Sequence, residues 1–190
     1  MTFSETEKKN IQERLLISCE ESWARLGYKK TSVDDLCRKA GISKGSFYLF
    51  YESKEELFCA VMIEVQKRLI TITRNTLGLS PRKKDLAKAL QVVYREYVKI
   101  PFIRETKSAD FIAFINRLSP KNLQELENHG RYDLKEIIRS TGLTYKIEEE
   151  KALSALSFVS NSLQDDEQLS WDALETFDFI IDTLVEKIFD

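Results

Sequence analysis

Six glycines and three prolines are all the turn punctuation that these 190 residues contain. A multi-stranded protein needs a turn signal roughly every 8–12 residues. A chain broken so rarely has to run in helices, and the fold class expected is all-α. With 43% hydrophobic and 32% charged residues, it can bury a real core, either as one domain or as a small head joined to a larger body. No apolar run approaches the roughly 18 residues that a membrane span needs. The opening MTFSETEKKN has no apolar h-region, so a cytoplasmic location is expected.

Hydrophobic spacing divides the chain into about nine helices. Ile11, Leu15, Cys19 and Leu26, with Leu16 and Trp23 beside them, trace one helical face. Ser4 and Glu7 form a capping box before that face, and Gly27 stops the helix. Ser32, with Asp35 reaching back, starts a short second helix to about Ala40. Gly41 allows a sharp turn, and Ser43 caps a third helix to about Phe50. Ser53 with Glu56 opens a fourth, 54–76, in which Leu57, Val61, Val65, Leu69 and Ile72 repeat at helical spacing. Longer helices are expected over 82–99, 102–117, 120–140, 147–163 and 170–189.

Two short helices joined by a tight turn, with polar side chains on the outside of the second, are the parts of a helix-turn-helix. The stretch 32–51 has them. Val33, Leu36, Cys37, Ala40, Ile42 and Phe47 can form its small core, which leaves Ser43, Lys44, Ser46, Tyr48 and Leu49 outward. Ser32, Tyr48 and Lys54 flank the reader as groups that can meet phosphates. Gly45 weakens a helix, which suits a backbone that must approach DNA closely; simple tolerance is the other reading. The boundaries expected are a DNA-binding head over 1–52 and a helical body over 53–190, with the fourth helix as connector.

Gly27-Tyr28, Thr31-Ser32-Val33 and AGISKGSFYLFYESKEEL from Ala40 to Leu57 resemble the pattern of TetR-type repressors. The resemblance implies a three-helix DNA-binding head on a body that binds a small-molecule effector and dimerises through its last two helices. It places Ser43, Lys44, Gly45 and Ser46 on the reading face, and Ser32, Tyr48 and Lys54 at phosphates. Lys44 is the best base reader, by donation to guanine O6 and N7, with a further phosphate contact as its alternative. The chain departs from the commoner pattern at Phe50, Tyr51 and Glu52; Phe50 either meets a thymine methyl or packs against the head. For an effector pocket the candidates are Tyr94, Tyr97, Phe111, Phe114, Tyr132 and Phe158, with the amides of Asn116 and Asn161, since a buried amide needs partners. Leu153, Leu156 and Val159 on one helix, with Phe177, Ile180, Ile181, Leu184 and Ile188 on the next, would build a four-helix dimer interface; burial of these faces inside one subunit is the other reading.

The function expected is a homodimeric transcriptional regulator, released from a palindromic operator in double-stranded DNA by its effector. The alternative is a helix-turn-helix module that binds protein, or binds DNA architecturally, without effector control. An enzyme is not expected, because no nucleophile–base pair, metal-ligand spacing or phosphate-cradling glycine loop occurs. No metal or cofactor is expected either: Cys19, Cys37 and Cys59 have no ligand spacing and read as buried small hydrophobes, and the lone His129 reads as exposed. The net charge of −2 argues against DNA, but it is unevenly spread. Residues 1–54 carry 10 Lys+Arg against 8 Asp+Glu, whereas 145–190 carry 3 against 12.

Overall fold

The computed structural model describes residues 3–130, 134–162 and 172–190. Among them the fold is all-α, as expected: eleven helices and no strand, apart from an isolated bridge between Tyr145 and Phe189. No helix among the described residues is long and apolar enough to cross a membrane. The chain divides into two compact units, 1–66 with 101–131 and 67–100 with 132–190. This division differs from the boundary expected at 52/53.

The first unit begins with α1 (Glu5–Lys30), opened by the expected capping box: Ser4 N–H donates to Glu7 at 2.8 Å, and Glu7 N–H donates to Ser4 Oγ at 3.3 Å. Ile11, Leu15, Cys19 and Trp23 form its buried stripe. Leu26, expected on that face, is 41% exposed instead, because the helical path ends one residue later at Gly27 (φ 80°, ψ 170°). α2 (Val33–Ala40) is capped by Ser32 and closed by Gly41 in the left-handed region (φ 72°, ψ 35°). Asp35 reaches back as expected, its carboxylate accepting a hydrogen bond from the Ser32 hydroxyl at 2.7 Å.

α3 (Lys44–Phe47) is a single turn, shorter than the helix expected to Phe50, and α4 runs over Lys54–Leu77. The segment expected as one helix over 102–117 is two, α6 (Pro101–Arg104) and α7 (Ala109–Ile115). The break falls where Ser108 caps α7 by accepting the Phe111 N–H at 3.1 Å. α8 (Pro120–Gly130) completes the unit.

The core of this unit is aromatic. The Trp23 indole stacks on Phe102 at 4.1 Å and 8°, meets Phe114 edge-on at 5.0 Å and lies 4.6 Å from Phe58. Tyr28 meets Phe58 edge-on at 5.2 Å. Rings in these offset and edge arrangements each add about 0.5–1.5 kcal/mol beyond their burial. Through these rings α6 and α7 pack directly on α1.

The second unit holds α5 (Lys83–Val98), α9 (Leu134–Thr141), α10 (Glu149–Ser162) and α11 (Ala173–Ile188). The helix expected over 120–140 covers α8 and α9, and the positions between them, 131–133, lie outside the described residues. Leu86, Leu90 and Tyr94 of α5 meet Phe177, Ile181, Val185 and Ile188 of α11, and Ile138, Ala152 and Leu156 close the core. Tyr94 stacks on Phe177 at 3.9 Å. A polar layer joins the same two helices: Arg95 pairs with Asp178, and the Gln91 amide donates to Asp182 at 3.0 Å. The pairing holds the Arg95 guanidinium above its ordinary pKa.

Candidate nucleic-acid interface

α3 is amphipathic within one turn. Phe47 is fully buried with Leu36, Cys37 and Ala40, while Ser43, Lys44, Gly45, Tyr48 and Leu49 are exposed. Val33 and Ile42 are half-buried. The opposed faces follow from position. Ser43 starts the turn by accepting the Ser46 N–H at 3.1 Å, and this fixes Phe47 inward and its neighbours outward. The Ser43 and Ser46 hydroxyls also bond each other at 2.9 Å. Tyr48, 53% exposed, stands edge-on to Phe47, and Leu49 is 69% exposed.

Lys44 reaches back to Asp34 of α2 at 3.0 Å. That hydrogen bond, followed by the carboxylate charge, raises its pKa, so the ammonium stays charged. The pair is exposed on both sides and correspondingly weak, so a phosphate or a base edge can replace Asp34. Ser32 is half-buried, with its hydroxyl held between the Asp35 N–H and the Asp35 carboxylate.

Lys54 departs from its expected place at the phosphates. Its ammonium donates to the Tyr28 carbonyl and lies 4.1 Å above the Tyr28 ring and 5.3 Å from that of Phe58. Burial lowers its pKa. The aromatic faces explain the inward course, since a ring quadrupole attracts a cation that is losing water.

Phe50 turns toward α1 and meets Phe3 at 5.9 Å, so packing accounts for it. Beside that contact an open groove of about 710 Å³ is lined by Lys8, Lys9, Gln12, Leu49 and Phe50, among others.

A sequence model of the bacterial regulatory proteins of the tetR family matches residues 19–61, from the middle of α1 into α4. Over these residues the chain carries a tetR-family regulatory domain. The uncharacterized HTH-type transcriptional regulator YdgC of Bacillus subtilis is 25% identical over 119 residues, 60% of this chain and 58% of its own length. A TetR/AcrR-family regulator from Thermobifida fusca superposes with a TM-score of 0.70 at 19% identity, over 92% of this chain and 96% of its own. FadR from Bacillus subtilis, whose structure contains stearoyl-CoA, superposes at 0.60 and 16% identity, over 93% and 98% of the two chains. At these identities the structures share the TetR fold.

The expected effector residues scatter over this fold. Tyr94 is buried on Phe177, and Tyr97 is half-buried on the same helix. Phe114 is fully buried and Phe111 half-buried in the Trp23 cluster of the other unit. Asn116 is not the buried amide expected: it is the exposed C-cap of α7. Phe158 is 73% exposed on α10, on the outside of its unit. Tyr132 and the side chains of Asn161 and His129 lie outside the described residues. Leu156, Phe177, Ile181 and Ile188, expected at a dimer interface, are core residues of their own unit instead. The three cysteines are buried and unpaired, as expected.

Proposed function

We propose that the chain is a DNA-binding transcriptional regulator that acts as a homodimer, its two α3 turns entering successive major grooves of a palindromic operator. The observation that carries this reading is the split face of α3, with Phe47 fully buried and Ser43, Lys44, Gly45 and Tyr48 exposed beside it. Such a face matches what a groove requires, with donors for base edges and phosphates on a rigidly seated turn. Tyr48 and Ser46 sit beside Lys44 to meet phosphate oxygens. Lys54 serves the interface by bracing the start of α4 against Tyr28 rather than by meeting a phosphate.

The dimer face we infer is the part of α10 and α11 that the core leaves over, centred on Phe158 and Phe179, which are 73% and 65% exposed. Large exposed aromatics on adjacent helices suit an interface with a second copy. Control by a small-molecule effector, and repression in its absence, complete the proposal. The stearoyl-CoA in the FadR structure illustrates the size of ligand that this fold admits. Effector and operator would then weaken each other's binding by the same factor.

The test is a titration of the chain onto its own upstream DNA at several salt concentrations, beside a random duplex and a Lys44→Ala variant. Specific binding that weakens steeply with salt and is weaker in the variant supports the regulator. A single phosphate contact removed lowers the slope of log affinity against log salt by about 1. The inward course of Lys54 favours the second reading, a protein-interaction module. No duplex binding at low salt would establish that reading instead.

A further inference from the structure

The break at Gly27 sets up a problem that the chain solves from far away. Where a helix is interrupted, the next backbone N–H groups lose their partners four residues back. Here those donors belong to Tyr28 and Lys29, and both go to one carboxylate. Tyr28 N–H donates to Asp110 Oδ2 at 2.5 Å, and Lys29 N–H donates to Asp110 Oδ1 at 3.0 Å. Asp110 lies 82 positions from Tyr28 in the first turn of α7, a helix seated by Phe111 and Phe114 against Trp23.

Position 27 is shaped for this carboxylate. A Cβ there would stand 2.8 Å from Asp110 Oδ2, and the φ of 80° already lies where side chains are strained. The same junction is gripped from its other side. The Tyr28 carbonyl accepts the Lys54 ammonium at the start of α4, the Tyr28 hydroxyl donates to Glu55, and the Thr31 hydroxyl donates to the Gly27 carbonyl at 2.8 Å. One residue further on, Ser32 caps α2, which leads through Gly41 to α3.

We propose that Asp110 is a positioning residue for DNA binding, which touches no DNA but fixes the α1–α2 junction and hence the attitude of the reading turn. This rests on the reading that the Lys44 face binds DNA. Any displacement of α7 is then felt at α3 through two hydrogen bonds. Asp110→Asn keeps the size of the side chain but replaces one acceptor oxygen with an amide nitrogen, which cannot accept from the second N–H.

The test measures wild type, Asp110→Asn, Asp110→Ala, Gly27→Ala and the Gly27→Ala/Asp110→Ala pair by amide exchange and by titration onto the upstream duplex. In Asp110→Asn, with helicity unchanged, the Tyr28 and Lys29 amides should exchange about tenfold faster. Affinity should fall about tenfold, the scale of one lost charge-assisted hydrogen bond. The salt slope should stay at the wild-type value, whereas Lys44→Ala lowers it. The double variant should bind no worse than Gly27→Ala alone, because both changes break one contact. Wild-type affinity in Asp110→Asn, or additive losses in the pair, overturns the proposal while leaving the DNA reading intact. A wild type that binds no duplex sinks the DNA reading and this proposal with it. Should the variants fail to fold, exchange in the wild type decides: Tyr28 and Lys29 amides as fast as an open loop would overturn the bridge.

Discussion

Gly45 has room for a side chain. The nearest atom to a Cβ built there is Ser43 Oγ at 3.8 Å, an ordinary contact, and its φ is not positive. Nothing inside the protein explains the glycine. Alanine should hold stability or raise it by up to about 1 kcal/mol. If the backbone at 45 lies against a groove, Gly45→Ala should melt no earlier than wild type in urea and yet bind the duplex several-fold more weakly. Equal binding would return Gly45 to plain tolerance. The caps at Ser4, Ser32 and Ser43 and the turn at Gly41 were legible in the sequence because each depends on residues within a turn of itself. Lys54 and Asn116 were not. The direction of Lys54 is set by Tyr28, 26 positions upstream, and Asn116 is exposed because α7 ends at it. Asp110 could not be found at all without knowing which backbone lies opposite.

At the scale of elements, periodicity located the helices but not all of their ends. Hydrophobic spacing runs through the break between α6 and α7, since helix resumes on its far side. Ser108 was the one available signal of that break. The apolar faces of α10 and α11 show a second limit, because spacing says that a face is buried without saying by what. Leu156 and Phe177 are used within the unit, whereas Phe158 and Phe179 point away from it. Phe158→Ser with Phe179→Ser should therefore leave the subunit's own stability within about 0.5 kcal/mol while converting dimer to monomer in sedimentation. Phe177→Ala, at 1% exposure, should instead cost about 3–5 kcal/mol. A double variant that remains dimeric would place the interface elsewhere.

For the molecule as a whole, burial leaves its mark in alkaline solution. It pushes the Cys59 thiol from an ordinary 9.0 up to about 11, raises those of Cys19 and Cys37 as well, and takes Tyr28 and Tyr51 from 10.0 to about 12. Below pH 9 these groups keep their protons in both states, and their contribution to folding is complete. Between 9 and 11 the unfolded chain gives up thiol protons that the folded chain retains, so stability falls as pH rises, and the tyrosines extend the loss toward 12. The urea midpoint should decline steadily across that range, and a flat midpoint would contradict the burial. The aromatic cluster bears on how such a protein can be recombined. Trp23 and Phe58 share one interior with Phe102 and Phe114, although these rings come from opposite sides of a long stretch of sequence. A graft of residues 1–66 onto a relative's body would strip those rings of their partners. The transplantable piece is discontinuous, 1–66 together with 101–131, so a working chimera has to carry both segments.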